Sequence, residues 1–230
     1  MTGWMIATAW FLATLGAYVV ARWLQTKAGG HPLANPVLLA ASPLIFVLWV
    51  SGTPFEVYQS GGRFWLFWLG PATVALAVPL YANLPKVKAA LGPMILALAA
   101  GSSVAVASAL GLGWMLGASR ETILSLAPKS VTTPIAMAVS DEIGGLAALA
   151  AAFVIVTGVI GAILAGPLFD LLNVKDARAR GFAMGVAAHG IGTARAFQID
   201  ETTGTFSGAG MTLNGILTGL LLPALILALS

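Results

Sequence analysis

Apolar residues run along this chain in long stretches, and polar residues are confined to short gaps and to a few positions inside the stretches. Hydropathy marks eight apolar segments, roughly 4–21, 33–52, 64–82, 91–118, 122–139, 146–172, 181–197 and 208–229. Segments near 20 residues have the length of a membrane-crossing helix. The pattern therefore predicts an all-α integral membrane protein, a polytopic helical bundle filling residues 1–230 as a single transmembrane domain. The first stretch has no basic n-region and no clear small-residue cleavage site, so it is read as a first span.

Charge decides which segments cross. The basic residues fall in the connections as Arg22 and Lys27; Arg63; Lys86 and Lys88; Arg120; Lys175, Arg178 and Arg180; and Arg195. If all eight segments spanned, with the amino terminus outside, each side would carry five of them. That leaves no positive-inside bias. If segments five and seven instead enter and leave on one face, eight basic residues lie on the cytoplasmic side and two outside, as the rule expects. Segment seven is also short for a crossing. We therefore expect six spans and two re-entrant elements that enter from opposite faces. A faint internal repeat at an offset of 57 residues pairs Pro36 with Pro93, Arg63 with Arg120, Pro71 with Pro128 and Val74 with Val131.

Composition removes most other classes. Charged residues are 8% and hydrophobic residues 59% of the chain, against roughly 25% charged in soluble domains, so no soluble catalytic domain is expected. The net charge of +3 comes from scattered residues, not from a tract that follows a phosphate backbone, and nucleic acid is not an expected partner. With no cysteine and only two, distant histidines, neither a metal site nor a cofactor is expected.

Candidate chemistry sits where polar residues interrupt apolar runs. Segment five, within LAPKSVTTPIAMAVSDEIGG, holds Lys129, Ser130, Thr132 and Thr133 between Pro128 and Pro134. Lysine costs a few kcal/mol in hydrocarbon, and each proline removes a backbone donor. Such backbone at membrane depth lies against protein or a wet cavity. The competing reading has Lys129 snorkelling to an interface and the threonines bonding their own helix. Segment three has Thr73 beside Pro71, with Pro79 following, and is expected to kink or break. Segment seven groups His189, Gly190, Gly192, Thr193 and Arg195, and Asp141 with Glu142 closes segment five.

These same strings, HPLANPVLLA, GPATVALAVPLY, LAPKSVTTPIAMAVSDEIGG and AAHGIGTARAF, resemble the LrgB/CidB family, which includes the membrane domain of the plastid glycolate/glycerate translocator. The resemblance spans about residues 30–229. It implies a multi-pass protein of the bacterial inner membrane, described either as antiholin-like or as a mover of small 2-hydroxy or 2-oxo monocarboxylates. The expectation taken forward is a proton-coupled secondary transporter of glycolate, glycerate, lactate or pyruvate type. Lys129, Ser130, Thr132, Thr133, Thr73, Thr193, Arg195, Gly190 and Gly192 would bind the organic anion, and His189, Asp141 or Glu142 would couple the proton. The alternative is a holin-like or antiholin-like regulator of murein hydrolase export and cell lysis, acting by homo-oligomerisation in the lipid bilayer with a small LrgA/CidA-type subunit. An intramembrane enzyme using Ser130 is disfavoured, because adjacent helical residues such as Lys129 and Ser130 point in different directions.

Overall fold

The computed structural model describes residues 3–31, 34–75 and 77–229, and in these it is all-helical. The helices are α1 (Gly3–Lys27), α2 (Pro36–Ser51), α3 (Phe55–Ala75), α4 (Ala77–Ala82), α5 (Leu84–Ala89), α6 (Leu91–Met115), α7 (Arg120–Leu126), α8 (Thr133–Glu142), α9 (Ala147–Leu171), α10 (Ala177–Ile199) and α11 (Glu201–Leu229). The chain forms two compact units, Met1–Ala77 and Val78–Ser230.

Among the described residues four helices are long and apolar enough to cross a membrane: Gly3–Lys27, Leu91–Met115, Ala147–Leu171 and Glu201–Ala228. Of the other two expected spans, Pro36–Ser51 is apolar but has 16 residues, about 24 Å of helix against a hydrocarbon core of about 30 Å. Phe55–Ala75 is longer, but its first half carries Glu56, Gln59 and Arg63. It also corrects an expectation. Pro71 does not break segment three; it lies inside a helix that continues to Ala75, a tolerance membrane helices have because neighbouring groups satisfy the freed carbonyl. The stretches paired at the offset of 57 thus differ in backbone, one continuous at Pro71 and the other broken at Pro128.

In the first unit α1 packs on both α2 and α3. Gly61 lets α3 approach the backbone of α1 at Ala7 and Phe11, and Phe11 stacks on Trp65 at 4.6 Å while Trp10 meets Tyr58 edge-on at 5.4 Å. Asn35 caps α2 through its side-chain oxygen, with Pro36 at the first helical position.

In the second unit α6 and α11 run in the same direction. Met94 and Leu98 cluster with Phe206 and Ala209, Ser102 bonds Asn214, and Val106 and Leu110 cluster with Leu222. Between them lie the two polar segments. Segment five is broken as expected: α7 ends just before Pro128, α8 opens with Pro134, and 127–132 are not helical. Its two ends lie together. Ile123 packs on Gly113 at the end of α6, and the Leu146 N–H, at the start of α9, donates to Ser125 Oγ at 2.7 Å.

Segment seven also reverses. Along its first arm Gly181 meets the Thr203 carbonyl and Gly185 the Ser207 carbonyl, so the numbers rise together and this arm runs parallel to α11. Along its second arm Thr193 bonds Ser207 and Phe197 packs on Gly204, so this arm runs antiparallel to the same helix. The turn is His189, at φ 42 and ψ −134, and it brings Gly192 against the Met184 carbonyl. The glycines at 181 and 185 permit this backbone contact, as in small-residue helix interfaces of membrane proteins. The two segments therefore enter from opposite ends of the unit, as the charge distribution predicts.

Candidate functional site

The tips of the two re-entrant segments meet at one side chain. Asn214, 1% exposed near the middle of α11, donates from Nδ2 to the Ser130 carbonyl and to the Val186 carbonyl, each at 3.1 Å. Its Oδ1 accepts from Ser102 Oγ at 2.6 Å. One amide so satisfies a carbonyl freed by the break in segment five, one on the first arm of segment seven, and a hydroxyl on α6. A buried amide is stable only when its donors and acceptor are used, and here all are.

Above this node lies a cavity of about 760 Å³, within the roughly 300–1,000 Å³ of small-molecule sites. Lys129 and Ser130 lie at its inner end, Gly101, Ala105, Thr157, Val186 and Phe206 along its length, and Ala89, Ala90, Asp176 and Arg178 at its mouth. The Lys129 ammonium reaches Ser130 Oγ at 3.4 Å and has no carboxylate partner among the described residues. At the mouth Arg178 forks onto Asp176, with Nη2 to Oδ2 at 2.6 Å and Nε to Oδ1 at 3.1 Å. That hydrogen bond, with those from the Arg178 and Ala179 backbone N–H groups, holds the Asp176 carboxyl down at about 2.

The other predicted residues fall elsewhere. Thr132 and Thr133 stand at the start of α8 without lining the cavity. Thr193 is buried on the second arm of segment seven, donating to the His189 carbonyl at 2.8 Å and sharing a bond of 2.9 Å with Ser207 Oγ. Gly190 and Gly192 form the turn beside it. Arg195 lies further along the arm and bonds Gln198 Oε1 at 3.1 Å. Asp141 and Glu142 are exposed at the far end of α8, the end opposite the mouth. His189 is 3% exposed. Its Nε2 lies 2.9 Å from the Val154 carbonyl; a carbonyl only accepts, so Nε2 carries the proton. The imidazole fills the space left by Gly158 on α9. The side chain of Thr73 lies outside the described residues.

Asn214, Ser102 and Thr157 have no counterpart among the predicted residues. A lone Asn within ETTGTFSGAGMTLNGILTGL was the available signal, since an amide in the middle of a membrane helix needs partners.

These features define a polytopic α-helical membrane protein with two opposed re-entrant segments. The LrgB-like family model matches residues 14–228, and the chain belongs to that family. It is 35% identical over 227 residues to the holin-like protein CidB of Staphylococcus epidermidis, covering 99% of each chain. It is 33% identical over 235 residues to the holin-like protein CidB of Staphylococcus aureus, again 99% of each. It is also 39% identical over 184 residues to the uncharacterized protein YwbG of Bacillus subtilis, covering 80% of this chain and 82% of the other. No solved structure matches the chain.

Proposed function

We propose that this protein is a secondary carrier of small organic monocarboxylates, of the glycolate, glycerate, lactate or pyruvate type, working in the bacterial inner membrane. The observation that carries the reading is Lys129: an ammonium without a carboxylate partner among the described residues, lining a cavity where two re-entrant tips meet. A cation so placed is costly unless paired, and an anion that arrives and leaves is a natural transient partner. Opposed discontinuous segments meeting near the bilayer midplane are how carriers expose one site to either side. The mouth end of the second unit carries Lys86, Lys88, Lys175, Arg178, Arg180 and Arg195, and the other end Arg120, so the positive-inside rule opens the cavity to the cytoplasm. Proton coupling stays part of the proposal, with His189 at mid-depth and Asp141 and Glu142 at the outer end as the groups to test.

The test is uptake of labelled lactate, pyruvate and glycolate into proteoliposomes by the natural protein and by Lys129→Met. Loss of uptake with insertion unchanged supports the reading; uptake at the natural rate by the variant overturns it.

The names of the relatives favour a second reading over carriage: a holin-like membrane protein. On that reading the chain would act in homo-oligomers with a small LrgA/CidA-type subunit to regulate murein hydrolase export and lysis. Full-length identity of 33–35% is the observation behind it. Release of a neutral dye from loaded proteoliposomes separates the two. A holin-like pore releases dye regardless of Lys129, whereas a carrier retains it while exchanging acids.

A further inference from the structure

We infer that Thr157 of α9 recognises the oxygen on carbon two of the acid, and so separates 2-hydroxy and 2-oxo acids from unsubstituted acids of the same length. The assignment rests on the carrier reading and supplies its specificity residue. It follows from how the polar side chains of the cavity wall are committed. Among the described residues these are Lys129, Ser130, Thr157, Asp176 and Arg178. Asp176 and Arg178 are taken up by their forked pair at the mouth, and Ser130 Oγ meets the Lys129 ammonium at 3.4 Å. Thr157 has no hydrogen-bond partner among the described residues. A threonine inside a membrane helix ordinarily returns its hydroxyl to the carbonyl four residues back, as Thr8, Thr14 and Thr212 do here, each at 2.9 Å. Thr157 leaves its hydroxyl to the cavity, where the other residues that α9 gives the wall, Val156, Ile160 and Gly161, carry no polar side chain.

Position fits the role. Val154 packs in one cluster with Val131, two residues from Lys129, and Thr157 follows Val154 by one turn of α9, about 4.5 Å. That turn is toward the mouth, since α9 goes on to Asp170, which bonds Arg180. A carboxylate held by Lys129 and Ser130, with its chain directed at the mouth, therefore brings carbon two beside Thr157. A hydroxyl both donates and accepts, so it serves a 2-hydroxyl and a 2-oxo group alike. An unsubstituted carbon two offers it nothing, and a site that hydrogen-bonds a substrate oxygen discriminates against the analogue lacking it. Thr157 is only partly buried, so water still reaches it and the discrimination is that of one neutral hydrogen bond.

The experiment is calorimetric binding to the purified protein in lipid nanodiscs, using acids that differ by one oxygen: lactate and pyruvate against propionate, and glycolate against acetate. It is repeated with Thr157→Val, which keeps the shape and loses the hydroxyl, with Thr157→Ser, which keeps the hydroxyl, and with Lys129→Met. The natural protein should bind lactate, pyruvate and glycolate about three- to tenfold more tightly than their unsubstituted partners. Thr157→Val should bring each ratio close to one, Thr157→Ser should keep it, and Lys129→Met should lose all binding. Thr157→Ala serves in the same way where the valine variant does not insert. A ratio unchanged in Thr157→Val or Thr157→Ala overturns the assignment and leaves the carrier site standing, as does a natural protein that binds lactate and propionate alike. No Lys129-dependent binding of any acid overturns the carrier reading itself.

Discussion

Asn214 Nδ2 and the Ser130 carbonyl are 3.1 Å apart, although 84 residues separate them in the chain. This bond, with its twin to Val186, ties the tip of one re-entrant segment to the arm of the other. An unsatisfied buried polar group costs about 1–3 kcal/mol. Asn214→Ala, which orphans two carbonyls and the Ser102 hydroxyl, should therefore lower the thermal unfolding temperature in micelles markedly. Asn214→Asp keeps the shape but cannot donate to either carbonyl, and should be at least as damaging. Ser102→Ala removes one leg and should cost less than either. An Asn214→Ala protein that unfolds at the natural temperature would show that the tips are held by other means.

Gly158 and His189 form a steric pair. A Cβ at Gly158 would come within 2.6 Å of His189 Cε1 and 2.7 Å of Nε2. Gly158→Ala should destabilise by roughly 1–3 kcal/mol through overpacking. In a His189→Gly background, where the ring is gone and glycine accepts the positive φ, the same substitution should be nearly neutral. Chemical unfolding of the four proteins closes the cycle; equal costs in both backgrounds would place the imidazole elsewhere.

Topology is open to cysteine labelling, since the chain has no native cysteine. Cysteines at Ser119 and Glu142 should react with an impermeant maleimide from one side, and cysteines at Lys175 and Gln198 from the other. Labelling of Ser119 and Glu142 from opposite sides would make segment five a crossing, contrary to the contacts of Ser125 with Leu146.

Asp176 should give a small acid dependence of stability. Its folded value of about 2 lies below the ordinary 3.8, so its contribution is complete above the ordinary value and fades as pH falls toward 2. The pair is exposed and screened, and the main effect is the cap on α10, worth about 1 kcal/mol. Asp176→Asn should keep most of the cap and unfold with a shallower pH dependence between about pH 4 and 2, whereas Asp176→Ala should be less stable throughout. An unchanged pH profile in Asp176→Asn would remove the linkage.

The sequence by itself determined that this is a helical membrane protein, because long apolar runs with so little charge have no alternative in which backbone groups are satisfied. It also located the break in segment five, since paired prolines end and restart a helix locally, and it marked segment seven by the positive-inside count and by its short length. Lys129 and Ser130 stood out for the same local reason: polar groups inside an apolar run. Tertiary structure alone decided which polar groups share the cavity. Asn214 closes the node because parallel packing brings the middle of α11 beside Ser102 and the tip of segment five, a coincidence of three distant stretches that no local pattern encodes. The surroundings of His189, the candidate for proton coupling, were not legible: its ring lies against Val154 and Gly158, because the reversal of α10 turns it toward α9. Pro71 was read as a kink or a break and the helix runs on through it to Ala75, since whether a proline interrupts a membrane helix depends on what surrounds its freed carbonyl and not on the proline alone.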